Sequence, residues 1–181
     1  MLTMKKLLLI TCSIAALFFA ACKKDKQPTP DNPYGLPNAT TEGKNIFACR
    51  VNGQNWISKT SIYNLGGGVS NDTLYAHGSN PSSTTYYEQY DIAIAGFSYL
   101  NNIYLLNDTS IRFAQFSTNN QCFVPQSGLG VGIGKNYEGQ LTITKLDTTT
   151  KILSGIFWFN ISTDNCDTMK ITDGRFDIKY Y

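Results

Sequence analysis

From Ile46 onward, apolar and polar residues repeatedly alternate with a period of two. That period sends successive side chains to opposite faces of an extended chain, so each run predicts a half-buried β-strand. In Ile46–Val51, Phe47, Cys49 and Val51 share one face. Asn52-Gly53 follows, a pair suited to the positive φ values of a tight hairpin, and Gln54–Ser58 returns with Trp56. Thr73–His77 and Asn102–Leu106 predict two further strands. Tyr86–Phe97 is apolar on both faces around Ile92 and Ile94, which predicts a central strand. Toward the C-terminus, Leu141 and Ile143 alternate with Thr142 and Thr144. Asp147-Thr148-Thr149-Thr150 turns the chain into Ile152–Ile161, a bulky central strand with Phe157, Trp158 and Phe159. Met169 and Ile171 alternate with Lys170 and Thr172; Asp173-Gly174 reads as another turn. Phe176, Ile178 and Tyr180 then alternate with Asp177, Lys179 and Tyr181. The expected fold is all-β, an antiparallel β-sandwich of about nine or ten strands, with a lipocalin-like closed barrel as the alternative. Residues 46–181 are enough for one domain with its own core.

The N-terminus follows a different pattern. Met4-Lys5-Lys6 is basic, and Leu7–Ala21 is an uncharged stretch of 15 residues ending at Ala20-Ala21-Cys22. A spanning helix needs about 20 apolar residues, so this stretch is too short to cross a bilayer. It resembles a bacterial lipoprotein signal peptide with its lipobox. The resemblance implies cleavage after residue 21 and a diacylglyceryl thioether on Cys22. One acyl chain binds marginally and two or three hold firmly, so such an anchor is permanent. Helix is expected almost nowhere beyond this leader.

Residues 23–45 contain four of the six prolines, among Lys, Asp, Asn, Thr and Gly. Such a segment buries too little apolar surface to offset its chain entropy and reads as a disordered tether. At ~3.1 Å per residue it would reach on the order of 70 Å. The chain therefore divides into leader 1–21, lipidated cysteine and tether 22–45, and one β domain 46–181.

Removing the leader changes the charge. The whole chain is +2, but Lys5 and Lys6 leave with the leader, and the chain from Cys22 carries 13 basic and 13 acidic side chains. Residues 46–181 carry 9 basic and 10 acidic ones. A folded body without basic excess gives no footprint for nucleic acid.

The domain keeps three cysteines, Cys49, Cys122 and Cys166. The envelope is oxidising, so a pair can persist as a disulfide, and an odd count leaves one over or paired between molecules. Cys49 lies in the inward phase of its strand and reads as a small buried hydrophobe. Cys122 and Cys166 lie in polar, turn-like surroundings, and a Cys122–Cys166 bridge is expected. Closing a loop of about 45 residues, it would contribute on the order of 3–4 kcal/mol.

His77 is the only histidine and has no Cys-x-x-Cys or His-x-x-x-His partner, so no zinc site is expected. Gly128-x-Gly130-x-Gly132-x-Gly134 is followed by neither a helical pattern nor Gly-Lys-Ser/Thr, and reads as a strand with close backbone approach. Asp164, Asp167, Asp173 and Asp177 miss the EF-hand spacing, and Asp177 between Arg175 and Lys179 reads as part of a solvated charge ladder. No cofactor is expected. Tyr86, Tyr87 and Tyr90, with Tyr99 and Tyr104, are an enrichment of rings with polar tips and form the candidate ligand-binding patch.

Four segments carry a second resemblance. They are Phe47-x-Cys49-x-Val51-Asn52-Gly53, Gly139-x-Leu141-Thr142-Ile143-Thr144-Lys145-Leu146-Asp147, Ser154-Gly155-x-Phe157-x-Phe159 and Ile171-Thr172-Asp173-Gly174-Arg175-Phe176-Asp177. Together they resemble a family of uncharacterised Bacteroidota lipoproteins built from a lipobox, a short linker and one β-rich domain. The resemblance implies an outer-membrane lipid anchor and supplies no catalytic residue to carry over. In such proteins acidic residues after the lipid cysteine favour surface display. Lys23-Lys24-Asp25-Lys26 has one acid, which leaves the periplasmic and surface-exposed sides both open. The expectation is a non-catalytic binding or accessory module for a glycan, small molecule or protein. A structural or assembly protein of the outer membrane is the alternative. An enzyme would need a paired acid–base set or a nucleophile beside a base, and no such spacing stands out.

Overall fold

A computed structural model describes residues 32, 34–61, 63–81, 88–95, 97, 103–106, 112–118, 132–133, 138–163 and 166–181. Among them are eleven strands and no helix. In chain order they are β1 (Ile46–Val51), β2 (Gln54–Ile57), β3 (Leu65–Ser70), β4 (Thr73–Ser79), β5 (Glu88–Ala95) and β6 (Ile103–Leu106). Then come β7 (Arg112–Thr118), β8 (Gly132–Ile133), β9 (Gly139–Asp147), β10 (Ile152–Thr163) and β11 (Cys166–Lys179).

All pairings are antiparallel and build two sheets. One has the order β2-β1-β11-β10-β9-β6, the other β3-β4-β5-β7-β8. Among the described residues each sheet has two free edges, so the architecture is the sandwich and not the closed barrel. Neighbours in sequence pair as hairpins where the turn chemistry allows. Asn52 (φ 47°) and Gly53 (φ 83°) both take positive φ between β1 and β2, as Asn-Gly predicts. Asp147 holds the β9–β10 turn by accepting the Thr149 and Thr150 amides, both at 2.9 Å.

The core is aromatic. Phe47 touches Trp56, Phe157 and Phe176 at centroid distances of 6.2, 5.2 and 6.2 Å. Trp56 meets Tyr90 edge-on at 4.6 Å, and that contact joins the two sheets. Cys49 is fully buried in the same cluster, as its strand phase predicts. So are Leu141, Phe157, Phe159, Ile171, Phe176 and Ile178, the inward positions of the three long C-terminal strands.

Two expectations for β11 are overturned. Asp173-Gly174 does not turn the chain; β11 runs through it for 14 residues. Ala48 pairs with Arg175 and Arg50 with Thr172, while Phe157 pairs with Gly174 and Phe159 with Ile171. One extra residue therefore sits on β11 opposite both neighbours, a β-bulge with Asp173 at φ 52°. Local chemistry supplied the positive φ, and long partners on both sides kept the strand going. A Cβ on Gly174 would lie 2.4 Å from the Phe157 ring and 2.6 Å from its carbonyl oxygen. Gly174→Ala is therefore expected to destabilise by about 1–3 kcal/mol, read from a urea midpoint. An unchanged midpoint would show that the bulge repacks freely.

Asp177 is the second correction. It is 1% exposed and not part of a solvated ladder. Its Oδ1 accepts from the Gly43 amide at 2.9 Å and Ser154 Oγ at 2.7 Å. Its Oδ2 accepts from Thr40 Oγ1 at 2.5 Å, the Glu42 amide at 3.1 Å and the Lys44 amide at 2.9 Å. Residues 40–44 thus lie over the outward side of β10 and β11, clasped to one carboxylate. Burial raises the pKa of that carboxyl, but the bonds from Lys44, Thr40, Ser154 and Gly43 together outweigh it and hold it below the usual carboxylate range.

Candidate functional site

Three successive glycines in a strand each forfeit entropy and packing, so Gly66-Gly67-Gly68 of β3 calls for a reason. Space supplies it. A Cβ on Gly67 would meet Tyr75 O at 2.9 Å and Ile178 Cδ1 at 3.1 Å. Glycine lets edge strand β3 approach the end of β11. A Cβ on Gly66 would come within 2.6 Å of His77 Cε1, so the missing side chain is what gives the imidazole its place across β3.

A cleft of about 360 Å³ opens there. Gly66 and Gly67 form part of its floor, with Tyr75, His77 and Tyr180 as aromatic walls and Tyr181 at its mouth. Asn45, Thr60, Ser61 and Lys179 line it with polar groups. Tyr75 and His77 sit two apart on β4, so the pleat aims both at the same outward face. Tyr75 is 40% exposed, with the Tyr181 ring fully in solvent. The volume falls in the range of small-molecule sites, which combine aromatic walls with a few polar groups.

Behind His77 is a polar row. His77 pairs with Asp91, and Asp91 with Gln115 on the next strand. Gln89 Nε2 donates to Asp91 Oδ1 at 2.6 Å and Gln115 Nε2 to Oδ2 at 3.3 Å. Burial pushes the Asp91 carboxyl up, against those two bonds and the nearby His77. The row ties Gln89 and Asp91 of β5 to Gln115 of β7.

The residues singled out by sequence fall as follows. Tyr90 is 1% exposed, with its hydroxyl toward Met169 Sδ at 3.8 Å, so it is a core residue and cannot form a surface patch. Tyr104 is likewise buried. Their strand phase turns them inward, and aromatic enrichment by itself does not say which face is wet. Tyr86, Tyr87, Tyr99, Cys22 and Cys122 lie outside the described residues. Cys166 opens β11 opposite Thr163, in a strand and not a turn. Gly132 and Ile133 form β8 against Ser117 and Thr118; the rest of that glycine run lies outside the described residues. Among the described residues no group of His, Cys, Asp or Glu is arranged to hold a metal ion. The cleft itself went unread because a Gly-Gly-Gly run looks like a loop. Its legible sign was the neighbouring Tyr75-x-His77 alternation.

No curated protein and no solved structure matches the chain. A family described as a domain of unknown function, DUF6252, matches residues 44–177. Its limits fall on Lys44 and Asp177, the two ends of one hydrogen bond of the clasp, and enclose the bulge of β11 and most of both sheets. The chain belongs to the DUF6252 family.

Proposed function

We propose that the protein is a lipid-anchored, non-catalytic binding module of the bacterial cell envelope, and that the Tyr75–His77 cleft takes its ligand, a glycan, small molecule or protein segment. The observation that carries this reading is a concave, aromatic-walled cleft of about 360 Å³ on a strand scaffold, cleared by glycines that would otherwise be costly. Two rings with polar tips, an amide at Asn45 and an ammonium at Lys179 suit a ligand with one apolar face and several hydroxyl or acidic groups. The lipid anchor is read from the lipobox-like run ending at Cys22 and from the proline-rich tether after it.

The test is a glycan array probed with the chain from Cys22, beside a pull-down of the lipidated protein from its own envelope. Tyr75→Ala is expected to weaken retention of any captured ligand about tenfold, the loss typical of one aromatic contact. Its unfolding free energy in urea should stay within about 0.5 kcal/mol of the parent, since the ring is partly in water. Retention that survives Tyr75→Ala and His77→Ala together would remove the cleft from the reading. Mass spectrometry of the mature N-terminus tests the anchor, expecting an acylated Cys22; an unmodified Cys22, or a chain beginning at Met1, would refute it.

A further inference from the structure

The outward face of the larger sheet carries a second feature. Strand registers align two rows across it. Ile103 pairs with Thr142, Thr142 with Ile156, and Ile156 with Arg175. Leu105 pairs with Gln140, and Gln140 with Trp158. The pleat therefore puts Ile103, Leu105, Ile156 and Trp158 on one side of three adjacent strands, 55, 60, 44 and 42% exposed. A shallow hollow of about 300 Å³ lies beside Ile156 and Trp158, lined also by Gln140, Thr142, Asp173 and Arg175. Arg175 donates from Nε to Asp173 O at 3.1 Å and from Nη1 to Pro37 O at 3.3 Å, and burial lowers its pKa.

We propose that this face is a membrane-docking surface, seated on a phospholipid bilayer with Trp158 and its aliphatic neighbours at the headgroup–acyl boundary. Three observations select that occupant. The chain enters the body on this same face, because Pro37 lies against Arg175. The fifteen residues from Cys22 to Leu36 span at most about 50 Å, so an acylated Cys22 would hold this face within reach of the bilayer. This argument alone rests on the lipid-anchor reading. Second, the patch is small. At roughly 200 Å² per large side chain, about half in water, it offers on the order of 400 Å². A stable protein interface takes about 800 Å² per partner. A bilayer needs no such area or matching shape. Third, the composition suits a lipid surface. Tryptophan prefers the headgroup level, and a guanidinium beside it suits a lipid phosphate.

The experiment uses the chain from residue 22 with Cys22→Ser, so that no acyl chain contributes, and vesicles of phosphatidylethanolamine and phosphatidylglycerol. Trp56 is buried, so Trp158 dominates acrylamide quenching of the free protein. Vesicles are expected to cut that quenching at least twofold, and Trp158→Phe to abolish the change. Brominated lipid should quench Trp158 in the chain with every patch residue intact. Leu105→Ser and Ile156→Ser should each lower vesicle partitioning about tenfold with the circular dichroism spectrum retained. Quenching that vesicles leave unchanged would overturn the proposal. So would partitioning that neither serine variant alters. Protection that needs no lipid and follows protein concentration would overturn it in favour of a second copy of the chain.

Discussion

Asp177→Ala is expected to cost about 3–5 kcal/mol of folding stability, because five donors lose one buried acceptor. The carboxylate accepts from five donors, three of them backbone amides of residues 42–44. Alanine leaves those amides and the Ser154 hydroxyl without their acceptor on a side chain that is 1% exposed. Asp177→Asn should recover only part of the loss, because an amide presents two donors where only acceptors are wanted. Denaturant unfolding reads both values, and a loss under about 1 kcal/mol for the alanine variant would show that water replaces the clasp. The pH dependence has a definite sign. A carboxyl whose folded pKa lies below its unfolded value stabilises the native state above the unfolded pKa. That stabilisation fades as pH falls through the usual carboxylate range toward the folded value. Acid should therefore weaken the parent more than Asp177→Ala, and the two unfolding midpoints should converge at low pH.

Phe47→Ala is the second large effect, expected at about 3–5 kcal/mol. The ring meets three aromatic partners and is 1% exposed. It also fills the space left by Gly78, whose Cβ would come within 2.7 Å of it. Phe47 on β1 and Gly78 on β4 thus interlock across the two sheets, and removing the ring empties the space between them. Partial collapse would lower the cost, since cavity size sets much of the spread among such substitutions. Phe47→Leu should retain more than half of the stability lost to alanine. Calorimetry or urea titration of both variants checks the order, and equal losses would count against a packing origin.

Period-two alternation made most of the fold legible. It correctly turned Phe47, Cys49, Trp56, Leu141, Phe176 and Ile178 inward, and Asn52-Gly53 announced its hairpin. Asp173-Gly174 was misleading because the same dipeptide serves a turn or a bulge. The choice lay with β1 and β10, whose pairing on both sides keeps β11 continuous through the bulge. β3 was missed because glycine carries no β preference; its ladder with β4, from Leu65–Gly78 to Ser70–Thr73, makes it a strand. Asp177 looked like a surface charge for a similar reason. Its burial depends on residues 40–44, more than 130 positions earlier, which read as tether in isolation. The candidate cleft was legible only in part. Tyrosine enrichment was real, yet Tyr90 and Tyr104 went inward while Tyr75, Tyr180 and Tyr181 came to line the opening.

The clasp at Asp177 also decides how the body would carry a mechanical load. A pull on the chain ahead of Thr40 does not first peel β1 from the sheet. It strains the contacts of Thr40, Glu42, Gly43 and Lys44 together, because all four converge on one carboxylate anchored by Ser154. Bonds loaded side by side share force, whereas a strand drawn from its end yields one bond at a time. β1 is further enclosed between β2 and β11. A pull on the chain ahead of Thr40 would thus be borne at the seam between residues 40–44 and β11.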